Sequence, residues 1–172
     1  MKIIKTKFKD LLIIKSKIFY DNRGYFREIS LEKLIKKRLI FTILSKSKKN
    51  VLRGMHLQRK NPQGKYISVL KGEIFDVAVD CRKNSKTFGK HFKITLNDKK
   101  NVSIYIPPGF AHGFVGLKKE NIVLYSCSNY RNKKSEIGIT WDDPDLNISW
   151  PIKKPTLSSK DKLNKFFNFY FG

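Results

Sequence analysis

Cysteine is nearly absent from this chain. Cys81 and Cys127 both sit inside strand-like apolar runs, without the spacing of a metal site. Buried free thiols are the expectation, and neither neighbourhood marks a nucleophile. Long apolar runs are also missing, and none approaches the roughly 20 residues that span a bilayer. The start, Met1-Lys2-Ile3-Ile4-Lys5-Thr6-Lys7, lacks the apolar stretch and small-residue cleavage site of a secretion signal. A soluble cytoplasmic protein is the expectation. Arginine is scarce as well: only seven of 37 basic residues carry a guanidinium. The formal charge of +23 invites a nucleic-acid reading. Base recognition and bidentate phosphate contacts favour arginine, however, and the lysines are scattered along the whole chain. A solvated lysine surface that draws in anionic small molecules fits better.

What the chain does have is a core. Of its 172 residues, 40% are hydrophobic and 13% aromatic, enough for one packed domain. Residues 1–20 read as one or two strands, closed by a turn at Asp21-Asn22-Arg23-Gly24. Residues 31–38 suit one short helix. From Val51 onward the pattern is β: Tyr66–Leu70, Glu73–Asp80, His91–Thr95, Val102–Ile106, Phe114–Leu117 and Ile122–Cys127. Lys71-Gly72 is a hairpin signal between the first two. No long amphipathic helix intervenes, which argues against a parallel βαβ sheet and for a sandwich or closed barrel. In the tail, Ser158 or Ser159 suits the cap of one helical turn. The closing Phe166-Phe167-Asn168-Phe169-Tyr170-Phe171 needs burial against the barrel or a second subunit.

Three histidines are candidates for chemistry. His56 lies in Leu52-Arg53-Gly54-Met55-His56-Leu57-Gln58, and His112 in Ile106-Pro107-Pro108-Gly109-Phe110-Ala111-His112-Gly113-Phe114. His91, at the head of a strand, is expected to be structural or exposed. Histidine is the side chain whose ordinary pKa lies nearest neutrality, so it suits proton abstraction. Pro108-Gly109-x-x-His112 resembles the second motif of cupin barrels, whose histidine often binds metal. A metal site there also needs a His-x-His pair, and here Leu57 and Gln58 follow His56. No metal is expected.

Several further stretches follow in a fixed order: Gln63-Gly64-Lys65, Gly72 to Arg82, Thr87-Phe88-Gly89-Lys90, Trp141-Asp142-Asp143-Pro144 and Leu157-Ser158-x-Lys160-Asp161. With the two histidine motifs they resemble the dTDP-4-dehydrorhamnose 3,5-epimerase family, a metal-independent branch of the cupin jelly rolls. The resemblance runs from about Lys2 to Lys162. It implies an all-β, antiparallel jelly-roll barrel over about residues 40–130. The N-terminal strands (1–39) and a short helical C-terminal tail (141–172) would pack on it as one domain.

The resemblance also implies a reaction. A ketone at C4 of a nucleotide-linked sugar acidifies the hydrogens on C3 and C5. Epimerisation removes such a proton, passes through an enolate and reprotonates the opposite face. On this reading His56 is the base and Asp161 fixes its tautomer. Lys65 faces the C4 oxygen, and Tyr125 returns a proton. Arg53 holds the pyrophosphate. Arg23 and Glu28, in Asp21-x-Arg23-Gly24-x-Phe26-x-Glu28, would contact the nucleotide across a homodimer interface. His112, Glu136 and Lys160 map onto further substrate contacts. No cofactor is implied, because the substrate's own ketone stabilises the carbanion, and the only other partner implied is a second copy.

Departures from the family pattern mark the recognition surface. The family's Gln-Asp-Asn-His-Ser run is replaced by Phe41-Thr42-Ile43-Leu44-Ser45, in a segment shorter by about two residues. Leu57 stands where a tyrosine is usual, and Arg131 where an aromatic packs on the base. These leave open which nucleotide and sugar are used, and whether C3 alone is epimerised. A non-catalytic sugar- or nucleic-acid-binding cupin is the remaining alternative.

Overall fold

The computed structural model describes residues 2–29 and 32–172. Two antiparallel sheets face each other. The six-stranded sheet runs in the order β1 (Lys2–Lys5), β2 (Leu12–Lys15), β10 (Val102–Ile106), β7 (Lys65–Lys71), β12 (Glu120–Cys127) and β5 (Phe41–Lys48). The five-stranded sheet runs β13 (Glu136–Gly138), β6 (Leu52–Gln58), β11 (Phe110–Gly116), β8 (Glu73–Asp80) and β9 (His91–Asn97). A separate hairpin joins β3 (Ile18–Asp21) to β4 (Gly24–Arg27), turning at Asn22-Arg23 as expected. Residues 2–21 thus contribute three strands rather than one or two, and β1 and β2 extend the six-stranded sheet. Leu31, the first residue of the expected short helix, lies outside the described residues; α1 spans Glu32–Ile35. No helix among the described residues is long and apolar enough to cross a membrane.

Alternation along the strands sorts side chains into layers. Along β8, Ile74 and Ala78 enter the core between the sheets, while Val77 and Val79 face the other way. Ile67, Val69, Ile104, Ile106 and Val123 of the six-stranded sheet meet Ile74, Leu96, Phe110 and Phe114 in that core. A second cluster covers the outer face of the five-stranded sheet. There Met55, Leu57, Val77, Val79 and Ala111 pack under Leu146 and Phe167 of the tail. A third, around Tyr66 and Tyr105, lies beneath Ile35 of α1. The tail's aromatic run is therefore only half sheltered: Phe167 is buried in the second cluster, whereas Phe166 and Phe169 of the same run stay exposed. Cys81 and Cys127 are free thiols and buried.

Two parallel bridges clamp the tail beside β6 and β13. Val51 pairs with Thr156 and Ile139 with Lys165. Between those anchors, the Ser158 hydroxyl accepts a hydrogen bond from the Asp161 backbone N–H (3.1 Å) at the start of a 3-10 turn over Asp161–Leu163. The N-cap position itself falls on Lys160, not on Ser158 or Ser159 as expected, and carries no side-chain cap.

Candidate active site

At one end of the barrel the inward side chains turn polar, around a cavity of about 320 Å³. Its walls come from both sheets. Lys65 of β7, Tyr125 of β12, and Ile43 and Ser45 of β5 face Arg53 and His56 of β6 and His112 of β11. Glu136, Lys160, Asp161 and Arg131 close one side.

Arg53 and His56 share this cavity although strict alternation would put residues three apart on opposite faces. A bulge resolves the conflict. On β11, His112 pairs with His56 and Phe114 with Arg53, so three steps on β6 match two on β11. Gly54 sits in that bulge with φ +118°, a backbone conformation that favours glycine. A Cβ there would lie 2.6 Å from the Gly113 Cα and the His112 carbonyl oxygen.

His56 Nε2 lies 2.6 Å from Asp161 Oδ1. Burial would raise the pKa of Asp161, yet the His56 hydrogen bond and charge, with the Ser158 contact, hold it below the ordinary carboxylate value. His56 and Asp161 are 105 residues apart in the chain, and the clamped tail delivers the carboxylate. Lys65 Nζ points to the His56 carbonyl oxygen at 3.5 Å, and burial lowers its pKa. The Tyr125 hydroxyl accepts a hydrogen bond from Ser45 Oγ at 3.3 Å, and burial pushes its pKa upward. Its ring meets those of His112 and Phe114 at 6.2 and 6.1 Å between centroids.

Arg53 donates from Nε to Ser47 Oγ (2.9 Å) and from Nη2 to the Lys46 carbonyl (3.1 Å). His112 is buried, with Nε2 2.8 Å from Asp76 Oδ2; the other Asp76 oxygen has no partner among the described residues. Glu136 is held from two sides, by Nε and Nη2 of Arg131 (2.9 and 3.2 Å) and by the Lys160 ammonium. Burial opposes its charge, but these cations bring its pKa down to about 2. Its oxygens are thus occupied by protein donors.

Arg23 and Glu28 are not among the residues lining this cavity. Both are exposed, and Arg23 pairs with Asp21 in the β3–β4 turn. His91, expected to be structural or exposed, is half-buried at the start of β9, and burial lowers its pKa. Among the described residues no group of three or more His, Cys, Asp or Glu side chains gathers to hold a metal ion. Nothing in the sequence marks Ser45, Ser47 or Asp76 as functional, because their residue types are common. Only the period-2 pattern of β5 and β8 points them inward.

Comparison with known proteins bears on what this geometry is for. The family model for dTDP-4-dehydrorhamnose 3,5-epimerase matches residues 5–168. The chain is 46% identical over 169 residues to the dTDP-4-dehydrorhamnose 3,5-epimerase of Salmonella typhimurium, covering 94% of this chain and 92% of that one. It is 42% identical to the enzyme of that name from Methanothermobacter thermautotrophicus, covering 94% and 91%. Among solved structures it superposes on dTDP-6-deoxy-D-glucose-3,5-epimerase from Legionella pneumophila in complex with dTDP-4-keto-L-rhamnose. That match has a TM-score of 0.94 and 41% identity, covering 98% and 94% of the chains. The Elizabethkingia anophelis dTDP-4-dehydrorhamnose 3,5-epimerase gives 0.92 at 40% identity, covering 100% and 99%. With a family match along nearly its whole length and relatives above 40% identity, the chain belongs to the dTDP-4-dehydrorhamnose 3,5-epimerase family.

Proposed function

We propose that this chain epimerises C3 and C5 of a dTDP-linked 4-keto-6-deoxy sugar, in dTDP-rhamnose biosynthesis in the cytoplasm, with His56 as base and Tyr125 as acid. The observation that carries this reading is their placement. His56 belongs to the five-stranded sheet and Tyr125 to the six-stranded sheet, so base and acid face the cavity from opposing walls. Inversion at carbon needs that arrangement, because the proton must leave one face and return to the other.

The other residues fit around this axis. His56 takes the proton from the carbon beside the ketone, and the electron pair moves to the C4 oxygen. Lys65 stabilises the developing enolate, where a charged donor in a water-poor cavity is strongest. Asp161 holds the His56 ring and favours the imidazolium once the proton has been taken. Arg53 offers remaining guanidinium donors to the diphosphate. His112 and Lys160 contact the sugar side. Glu136 acts there through the two cations it holds. Arg23 and Glu28 reach the nucleotide of a second copy, forming a homodimer. The exposed aromatic faces of their hairpin, Phe19, Tyr20, Tyr25 and Phe26 at 54, 73, 59 and 65% exposure, supply an apolar surface for that contact.

Solvent exchange in deuterated water, followed by NMR on a panel of 4-keto sugars carrying different nucleotides, tests the reading. Label should enter at both C3 and C5, fastest with the dTDP sugar. His56→Ala should lose exchange at both carbons by about 10²–10⁴-fold, whereas Tyr125→Phe should retain exchange at C3 more than complete turnover. Full turnover by the His56 variant would sink the base assignment.

A further inference from the structure

β5 presents two hydroxyls to the cavity side of its sheet, and each holds a different working side chain. In β5 the side chains alternate: Thr42, Leu44 and Lys46 are exposed, while Ile43, Ser45 and Ser47 turn inward. Ser47 accepts from Arg53. Ser45 stands across from Val123, diagonal to Tyr125, and its Oγ lies 3.3 Å from the Tyr125 hydroxyl. Among the described residues no other side chain is hydrogen-bonded to that hydroxyl.

We infer that Ser45 is a positioning residue for Tyr125, aiming the phenolic proton into the cavity and so setting how efficiently C5 is reprotonated. The inference rests on the reading of Tyr125 as the acid. The Tyr125 ring itself is confined by His112 and Phe114, leaving rotation of the O–H as its freedom. Ser45, as donor, occupies one lone pair of the phenol oxygen, so the phenol's own proton is directed elsewhere. The cavity lies on the remaining side. When Tyr125 gives its proton to the carbanion, the C–H bond forms from the enolate electron pair and the O–H pair stays on oxygen. The resulting phenolate would be poorly tolerated in a buried site, and a serine hydroxyl already donating to it lowers that cost.

Ser47 provides an internal comparison on the same strand face. Ser45→Ala should slow C5 exchange about tenfold while C3 exchange stays within about twofold, since only the developing phenolate loses a charge-assisted hydrogen bond. Ser45→Thr, which keeps the hydroxyl, should restore the C5-to-C3 ratio. Ser47→Ala should raise KM through Arg53 and leave that ratio as it is in the unmodified enzyme. An unchanged C5-to-C3 ratio in Ser45→Ala, or equal slowing at both carbons, would overturn the assignment. Absence of C5 exchange in the unmodified enzyme would instead overturn the double-epimerase reading, and this assignment with it.

Discussion

Burial works against the charge on Lys65, pushing its pKa below the ordinary lysine value of 10.5, while the nearby Cys127, Glu136 and Asp76 favour it. The ammonium is the form that can stabilise an enolate. It is present below the folded pKa and lost as pH rises through it. Activity should therefore fall on the alkaline side at a pH below 10.5, where an exposed lysine would still be charged. Lys65→Arg, with a guanidinium that stays charged, should lower kcat but remove that alkaline limb. A kcat profile whose limb stays put in the arginine variant would show that another group causes it. The same residue shows how far a sequence can be read. Its place after Gln63-Gly64 marks it within the resemblance, yet its burial and lowered pKa come from the folded surroundings, with Cys127 of β12 paired across from it and Glu136, Asp76 and Arg131 nearby.

Two elements stand out, one carrying the site and the other holding the fold away from it. The first is the β6 bulge, which brings Arg53 and His56 to one wall. Gly54→Ala would place a methyl group 2.6 Å from backbone atoms of β11, at a φ of +118°. Strain and overpacking should together cost about 3 kcal/mol or more. For a chain of this size that lowers Tm by roughly 6–12 °C, measurable by calorimetry, and exchange activity should fall with it. A variant as stable and active as the original would mean the strand relaxes more easily than its contacts indicate. The second element is the loop after β8. Asp80 is fully buried and accepts from the Arg82 guanidinium and the Ser85 and Thr87 hydroxyls. Burial would raise its pKa, but these donors bring it from 3.8 down to about 2. A depressed carboxylate pKa stabilises the fold above its unfolded value, and that stability is lost as pH falls through the folded one. Stability should thus decline between pH 3.8 and about 2. Asp80→Asn should be less stable at neutral pH and decline less steeply across that window, as acid titration followed by circular dichroism would show.

At the scale of the whole molecule, the hairpin is a piece whose aromatic rings the other described residues leave exposed. Phe19 pairs with Phe26 and Tyr20 with Tyr25 across its strands, and all four are exposed. If a second copy covers them, the protein should sediment at twice its 20.1 kDa chain mass. Phe19→Ser combined with Phe26→Ser should then shift it toward monomer and raise KM, because Arg23 and Glu28 would leave the partner's nucleotide. A fully active monomer would remove both residues from the site.

The sequence alone carried the strand pattern and a sandwich or barrel architecture, because period-2 alternation and turn residues are local properties; the roles of His56, Lys65, Tyr125 and Asp161 were implied by the family resemblance of their motifs. It also carried the thiols' burial, since both sit in apolar runs. Other features depended on contacts between distant segments, which only the folded chain supplies. One is the pairing of His56 with an aspartate 105 residues away, and another is the sharing of a wall by Arg53 and His56 across a bulge. The capture of Glu136 by Arg131 and Lys160 is a third. His56 was legible as a candidate base; the opposing wall that makes inversion possible was set by which sheet each strand joined.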